Sequence, residues 1–301
     1  VLTDFVQPDP DNNHYRFYPN GGGYGVIFNH TVKPFDDVNV RKAMRDAIDP
    51  TKARDAAAVG YTIPTPAGLD PTMYAPVLTP ETSQPQQQNI EAAKAGLAAS
   101  GYTVNAAGNL EKDGKEHPIT LYINVSNDQD MQAGPIFVSQ WKEVLGLNVK
   151  IQTPAETIFN KAASKGEYPL FFGTVAGGTS MYFAYQGYSL QNTVAIGTES
   201  PSVNYGRWKN AKVSDAAYGL QSVDPGDYAG TKPLASVIAE QALAEAPFIA
   251  TEGTGYQVMW SSRKWDGMPA TGQAAHVPSL DNYQDPILTI LAMAPSTPKG
   301  P

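Results

Sequence analysis

There is no cysteine among the 301 residues. That excludes disulfides, thiolate catalysis and cysteine-ligated zinc together, and it leaves the redox compartment unread. No apolar run is long enough to span a bilayer, and no N-terminal stretch reads as a signal peptide. Positive charge is scarce: 21 Lys and Arg against 29 Asp and Glu give a net charge of −8. The balance speaks against a nucleic-acid partner, which needs a basic face, and fits a secreted protein that avoids polyanions. Histidine is rarer still, and His14, His30, His117 and His276 sit in four separate segments. A metal site would have to gather them all, so exposed loop histidines and no metal are the expectation.

Catalytic signatures are missing as well. Glycoside hydrolysis needs two carboxylates roughly 5 to 10 Å apart across the sugar. Between Glu167 and Ala211, only Glu167 and Glu199 are acidic. No Ser or His motif of a hydrolase is present. Neither Gly177-Gly178 nor Gly21-Gly22-Gly23 is followed by the Gly-Lys-Ser/Thr of a phosphate loop. The expectation is a protein that is no enzyme and carries no cofactor.

What is present is a chain long enough for one large or two modest domains. Its centre of organisation is residues 28–49. Val26, Ile27 and Phe28 form a short apolar strand stopped by Pro34, and Asp36 or Asp37 stands ready to N-cap a helix. Val40, Ala43, Met44 and Ala47 give that helix one apolar face. Asp49-Pro50 restarts the chain as a second helix, with proline at its first position. Before this stretch, Val1 to Val6 reads as a strand and Gly21-Gly22-Gly23 as a turn. After it, the prolines between Gly60 and Pro85 exclude a continuous helix, and Asn89 to Tyr102 is a short helix stopped by Gly101.

A β-α-β unit follows. Ile119, Leu121, Ile123 and Val125 alternate, Ile136, Phe137, Gln140, Trp141 and Val144 keep helical spacing, and Leu147, Val149 and Ile151 alternate again. The two strands are expected to be parallel neighbours, with Trp141 in the core. Thr153-Pro154-Ala155-Glu156 reads as a capping box. Pro169 to Phe172 is a short strand, Gly173 to Tyr188 a loop-like stretch, and helices follow from Ala211 and over Lys232 to Glu245. Residues 246–249 and 256–260 read as strands. The tail is loop-rich and ends in an apolar run, Ile287 to Met293.

These segments carry a resemblance. Asn29, Pro34 to Asp37, Val40, Arg41, Ala43 and Ala47 to Asp49 resemble the signature of the family 5 solute-binding proteins of ABC importers, the peptide, nickel and oligosaccharide binders. Ala93-Lys94 through Gly101-Tyr102, Asp113-Gly114-Lys115 and Leu145 to Val149 are similar to the same family. Asn204-Tyr205-Gly206-Arg207, Lys209-Asn210, Glu245-Ala246-Pro247, Trp260 and Trp265-x-Gly267-x-Pro269 look like its cello-oligosaccharide branch.

The resemblance implies an α/β fold, a periplasmic-binding-protein-like lobe with a mixed sheet flanked by helices, plus remnant strands of the other lobe. Residues 1–27 would be a remnant of lobe I and the hinge, 28–246 lobe II, and 247–301 the hinge return with the C-terminal part of lobe I. The chain would be a C-terminal fragment that lacks most of lobe I, the signal peptide and the lipid-attachment cysteine, and would bind ligand weakly or not at all by itself. The implied function is capture of a solute outside the membrane, in the periplasm or on a lipid anchor, by a monomer that delivers it to ABC permease subunits.

Ligand chemistry is read from the rings. Tyr182, Tyr185, Tyr188, Tyr205, Trp208, Tyr256 and Trp260 lie in loops or at strand ends, where aromatic faces stack on sugars, and Asn204 sits among them. Half or more of these rings would pack the core instead. Arg41 and Arg207 read as structural donors to carbonyls or carboxylates. In peptide-binding members of the family, the loop after the 169–172 strand usually carries an acid for the peptide's amino terminus. Here Gly173 to Ser180 has none. A buried ammonium without a counter-charge costs several kcal/mol, so the expected ligand is a neutral oligosaccharide. The alternatives are an oligopeptide and, from another class, a carbohydrate-active hydrolase.

Overall fold

Val26, Ile27 and Phe28 are all buried, and so are Leu170, Phe171 and Phe172. Strands with both faces buried need a layer of structure on each side. The computed structural model describes residues 2–57, 63–176, 180–224 and 226–268, with 291 and 293–295. It divides into two units, one of residues 21–254 and one of 1–20 with 255–301.

In order, the elements are β1 (Asn13–Phe28), α1 (Val38–Asp46), α2 (Pro50–Ala57), α3 (Ile90–Ala99), β2 (Thr103–Val104), β3 (Leu110–Lys112), β4 (Lys115–His117) and β5 (Thr120–Tyr122). There follow α4 (Asp128–Leu145), β6 (Lys150–Gln152), α5 (Glu156–Ser164), β7 (Leu170–Ala176), α6 (Met181–Tyr185), α7 (Ala211–Leu220), α8 (Tyr228–Glu245), β8 (Phe248–Ser261), β9 (Trp265–Asp266) and β10 (Ala294–Pro295).

The central sheet has the order β6-β5-β7-β1-β8. β5 pairs in parallel with β6 and with β7, whereas β7 and β1 are antiparallel, so the sheet is mixed. The β-α-β reading of residues 119–151 therefore holds. Alternation along the strands sorts the core into two halves. Val26, Phe28, Leu170, Phe172 and Ile249 face a cluster with Val40, Met44, Phe137 and Trp141 from α1 and α4. Ile27, Phe171, Phe248 and Ala250 face the other, with Phe159, Val213, Ile238 and Ala242 from α5, α7 and α8. Trp141 is in the core, and its indole N–H donates to the Met44 carbonyl at 2.8 Å.

Four local expectations change. Gly21 to Gly23 are not a turn but lie inside β1. Neighbouring backbones crowd this strand at two of its glycines: a Cβ on Gly23 would sit 2.5 Å from the Gly68 carbonyl oxygen, and one on Gly25 1.9 Å from that of Ile249. The capping box at Thr153 does not form. Ile123 and Val125 donate to the Gln152 and Pro154 carbonyls, so strand pairing continues through Pro154 and α5 opens only at Glu156, capped by Ala155 without a side-chain bond. Residues 173–188 are less loop-like than expected, since β7 runs to Ala176 and Ser180 caps α6. Leu2 to Val6 is a π-helical turn and not a strand; it belongs to none of the described sheets, and the Asn13 amide donates to its Phe5 carbonyl at 2.9 Å.

The smaller unit holds the antiparallel β9–β10 pair and the N-terminal turn. Ser262 N–H donates to the Asn12 carbonyl at 2.8 Å, and the Arg263 guanidinium pairs with Asp9. His276, Gly177, Gly178 and most of the 287–293 run lie outside the described residues.

Candidate functional site

The signature stretch serves the fold. Asn29 is fully buried. Its amide donates to the Gly166 carbonyl at 2.7 Å and the Tyr168 carbonyl at 3.3 Å, while its oxygen accepts from the Thr31 N–H at 3.1 Å and hydroxyl at 2.7 Å. Arg41 donates to the carbonyls of Phe35, Glu245 and Ala246, clamping the β1–α1 turn to the end of α8. Asp37 caps α1 by accepting from Asn39 N–H. Arg207 likewise donates to the carbonyls of Asn204, Tyr205, Ser164 and Thr198. His30 is enclosed beside Arg41, and burial, with that neighbouring charge, pushes its pKa down to about 3, so it is neutral.

The eight residues singled out for ligand contact separate into three groups. Tyr185, Tyr188, Trp208 and Asn204 come together, but inside the core. The Tyr185 hydroxyl donates to the Ala67 carbonyl and the Tyr188 hydroxyl to that of Val175. Tyr188 meets Trp208 edge-on, at 5.5 Å between centroids, and the Trp208 indole N–H donates to Glu245. Asn204 donates to the Trp208 carbonyl and accepts from its N–H, each at 2.8 Å. Desolvation holds both tyrosine hydroxyls well above their ordinary range. Packing is the role these four play.

Tyr182 and Tyr205 are half-buried against the same core. Tyr182 lines a cleft of about 180 Å³ with Met73, Tyr74, Val77, Leu220 and Tyr228. Trp260 belongs to the smaller unit, half-buried, with the His14 ring 5.1 Å away and the Arg16 guanidinium 5.3 Å over its face. Tyr256 is in β8, and its side chain lies outside the described residues.

A polar cluster that the sequence reading missed lies where β1, β8 and the start of α4 meet. The Tyr24 hydroxyl donates to Asp130 Oδ2 at 2.9 Å and accepts from Asn127 Nδ2 at 3.3 Å. Asn127 caps α4, accepting from the N–H groups of Gln129 and Asp130. Asp130 and Glu252 are 1 % and 4 % exposed. Desolvation pushes Asp130 up to about 7, against the pull of the Tyr24 bond, although a helix N-terminus normally favours the anion. Desolvation and the nearby Asp130 raise Glu252 to about 7. Asp130 hid in the sequence as an ordinary first-turn acid. Glu252 gave a signal: a carboxylate two residues after Phe248, Ile249 and Ala250, which are buried on both faces of the sheet. Among the described residues, no three His, Asp or Glu side chains gather as a metal site.

With this geometry in place, comparison with known proteins gives a consistent picture. Residues 3–195 match the model of the bacterial extracellular solute-binding proteins, family 5 middle region. The oligopeptide-binding protein OppA of Lactococcus lactis is 29% identical over 144 residues, which cover 44% of this chain and 23% of that protein. Among solved structures, a periplasmic oligopeptide-binding protein of Thermotoga maritima superposes with a TM-score of 0.79 at 22% identity, covering 93% of this chain and 53% of that one. A mannohexaose-bound structure from the same organism gives 0.75 at 22% identity, over 92% and 52%. AppA of Bacillus subtilis, in complex with a nonapeptide, gives 0.70 at 17% identity, over 95% and 53%. The chain thus spans about half the length of these structures. Their shared architecture is the periplasmic-binding-protein fold, and this chain belongs to the bacterial extracellular solute-binding proteins, family 5.

Proposed function

We propose that the protein carrying this chain is the substrate-binding component of an ABC importer. It captures an oligomeric solute outside the membrane, in the periplasm or from a lipid anchor, and passes it as a monomer to permease subunits without a chemical step. The observation that carries the reading is the family match over residues 3–195, on a fold shared across 93% of the chain.

Two ligand classes rest on two observations. An oligosaccharide is favoured by the half-buried rings of Tyr182 and Tyr205 and by the acid-free sequence of residues 173–180, because ring faces stack on sugar C–H surfaces. An oligopeptide is favoured by the relatives: OppA of Lactococcus lactis is an oligopeptide-binding protein and AppA of Bacillus subtilis holds a nonapeptide. Residues 1–27 and 247–301 are read as parts of the first lobe and the hinge.

The test is calorimetric titration of the complete protein that carries this chain with cello-oligosaccharides and tetrapeptides, each mixture then analysed by chromatography. Saturable binding with the ligand recovered intact is the expected result. Shortened glycans would refute the absence of a chemical step, and heat from neither class would refute the solute-binding reading.

A further inference from the structure

The cleft beside Tyr182 is built entirely within the larger unit, from the 70–78 segment, α6, the end of α7 with the turn after it, and the start of α8. Its walls are set before anything binds. Asp70 accepts from the N–H groups of Thr72 and Met73, at 2.9 and 2.8 Å, and so fixes the turn that carries Met73 and Tyr74. Asp227 caps α8 by accepting from the Gly230 N–H, which holds the first turn with Tyr228 and Thr231. Tyr74, Val77, Met181 and Leu220 line the cleft and belong to the buried core. The mouth is apolar as well: Tyr228 is 57 % exposed, and Phe183, whose ring lies 5.5 Å from that of Tyr182, is 60 % exposed. Large apolar side chains left in water around one opening mark a site of contact. Among the described residues, no Asp, Glu, Lys, Arg, His, Asn or Gln lines the cleft.

We propose that this cleft binds a single uncharged aromatic ring, and a phenol better than a bare ring. The inference goes beyond the importer reading and does not depend on it. Size comes first: the cleft holds about 180 Å³, and an apolar cavity of about 150 Å³ takes up benzene. There is room for one six-membered ring with a small substituent. Met73 and Met181 line it with polarisable sulfurs, which suit a ring edge. Tyr74, Tyr182 and Tyr228 add rings for offset or edge-on contact. A charged group would lose its water here and find no counter-charge. A pyranose fits less well, because the amide and carboxylate side chains that orient its hydroxyls are missing from the lining. The preference for a phenol comes from Thr231, which is 8 % exposed and whose hydroxyl makes no hydrogen bond among the described residues. A phenolic hydroxyl would give it a partner. The ring is either carried on the transported solute or arrives as a free small molecule, and the chemistry of recognition is the same.

The test titrates the complete protein that carries this chain by ligand-observed NMR. The probes are phenol, toluene, cyclohexanol, benzoate and glucose, with Ala-Ala-Tyr-Ala and tetra-alanine as competitors. Phenol is expected to bind most tightly and toluene next, with cyclohexanol about threefold or more below phenol and benzoate and glucose hardly binding. Val223→Phe brings a ring of the protein's own into the cleft and should abolish phenol binding while the melting temperature is retained. Thr231→Val keeps the shape without the hydroxyl and should bring phenol down to the affinity of toluene, a loss of about threefold to tenfold. Displacement of phenol by Ala-Ala-Tyr-Ala but not by tetra-alanine assigns the ring to the solute. Displacement by neither assigns the cleft to a free aromatic, and both outcomes uphold the ring site. Glucose, benzoate or cyclohexanol matching phenol, displacement of phenol by tetra-alanine, or no binding of any ring would each overturn the proposal. So would phenol binding that survives Val223→Phe, or a phenol preference that survives Thr231→Val.

Discussion

Replacing Glu252 by Gln should stabilise the protein at neutral pH and leave it unchanged in acid. In the unfolded chain Glu252 titrates at the ordinary 4.5, and in the fold burial and Asp130 raise this to about 7. The gap of about 2.5 in pKa, at about 1.4 kcal/mol per pKa unit, corresponds to about 3 kcal/mol. The sign follows from proton counting. Below the unfolded value both states hold the proton, and ionisation costs the fold nothing. Between 4.5 and about 7 the folded state holds a proton that the unfolded state has lost, so stability falls as pH rises. Above about 7 the penalty levels off at its full size. Asp130, raised from 3.8 to about 7, adds a loss of the same sign. Glutamine keeps the shape and cannot ionise, so the variant should be more stable than the parent by about 3 kcal/mol near pH 8 and equal to it near pH 4. Urea denaturation of both proteins at four or five pH values measures this directly, with midpoints converted at a common slope. Parallel stability curves for parent and variant would refute the assignment of Glu252 as a desolvated acid.

Asn29→Ala removes four hydrogen bonds at a fully buried site and leaves the Gly166 and Tyr168 carbonyls without that donor; a loss of roughly 2 to 4 kcal/mol in urea denaturation is expected. Tyr188→Ala and Tyr182→Ala should part company. The core ring should cost roughly 3 to 5 kcal/mol of stability, as large side chains in cores do. The cleft ring should cost little stability, and if it stacks on the ligand its loss should weaken binding by roughly 1 to 3 kcal/mol, measured by titration.

The fold was legible wherever local signals agreed with tertiary need. The alternation of Ile119 to Val125 and of Leu147 to Ile151 around a helical stripe could belong only to a β-α-β unit, and the sheet contains it. Asp37 marked a helix start because an orphan N–H needs an acceptor wherever the helix goes, and Pro50 because proline has no N–H to orphan there. Errors arose where a distant chain decided a local choice. Three consecutive glycines read as a turn, yet they lie inside β1, where the Gly68 carbonyl comes too close to Gly23 for any side chain. The Thr153 cap lost to Val125, which takes the Pro154 carbonyl into the sheet.

Ring type and loop position placed Tyr185, Tyr188 and Trp208 at a surface, because a sequence does not record which side of a loop faces inward. Their polar atoms are answered by the carbonyls of Ala67 and Val175 and by the carboxylate of Glu245, far away in the chain. The acid pair was out of reach for the same reason: Asp130 and Glu252 are 122 positions apart by number, and only the meeting of α4 with the sheet makes each matter to the other. What the sequence by itself determined was periodicity, punctuation and the family signature, all of which act over a few neighbouring residues. What only the tertiary structure decided was desolvation, because the loss of water around a ring or a carboxylate depends on every chain segment that closes over it.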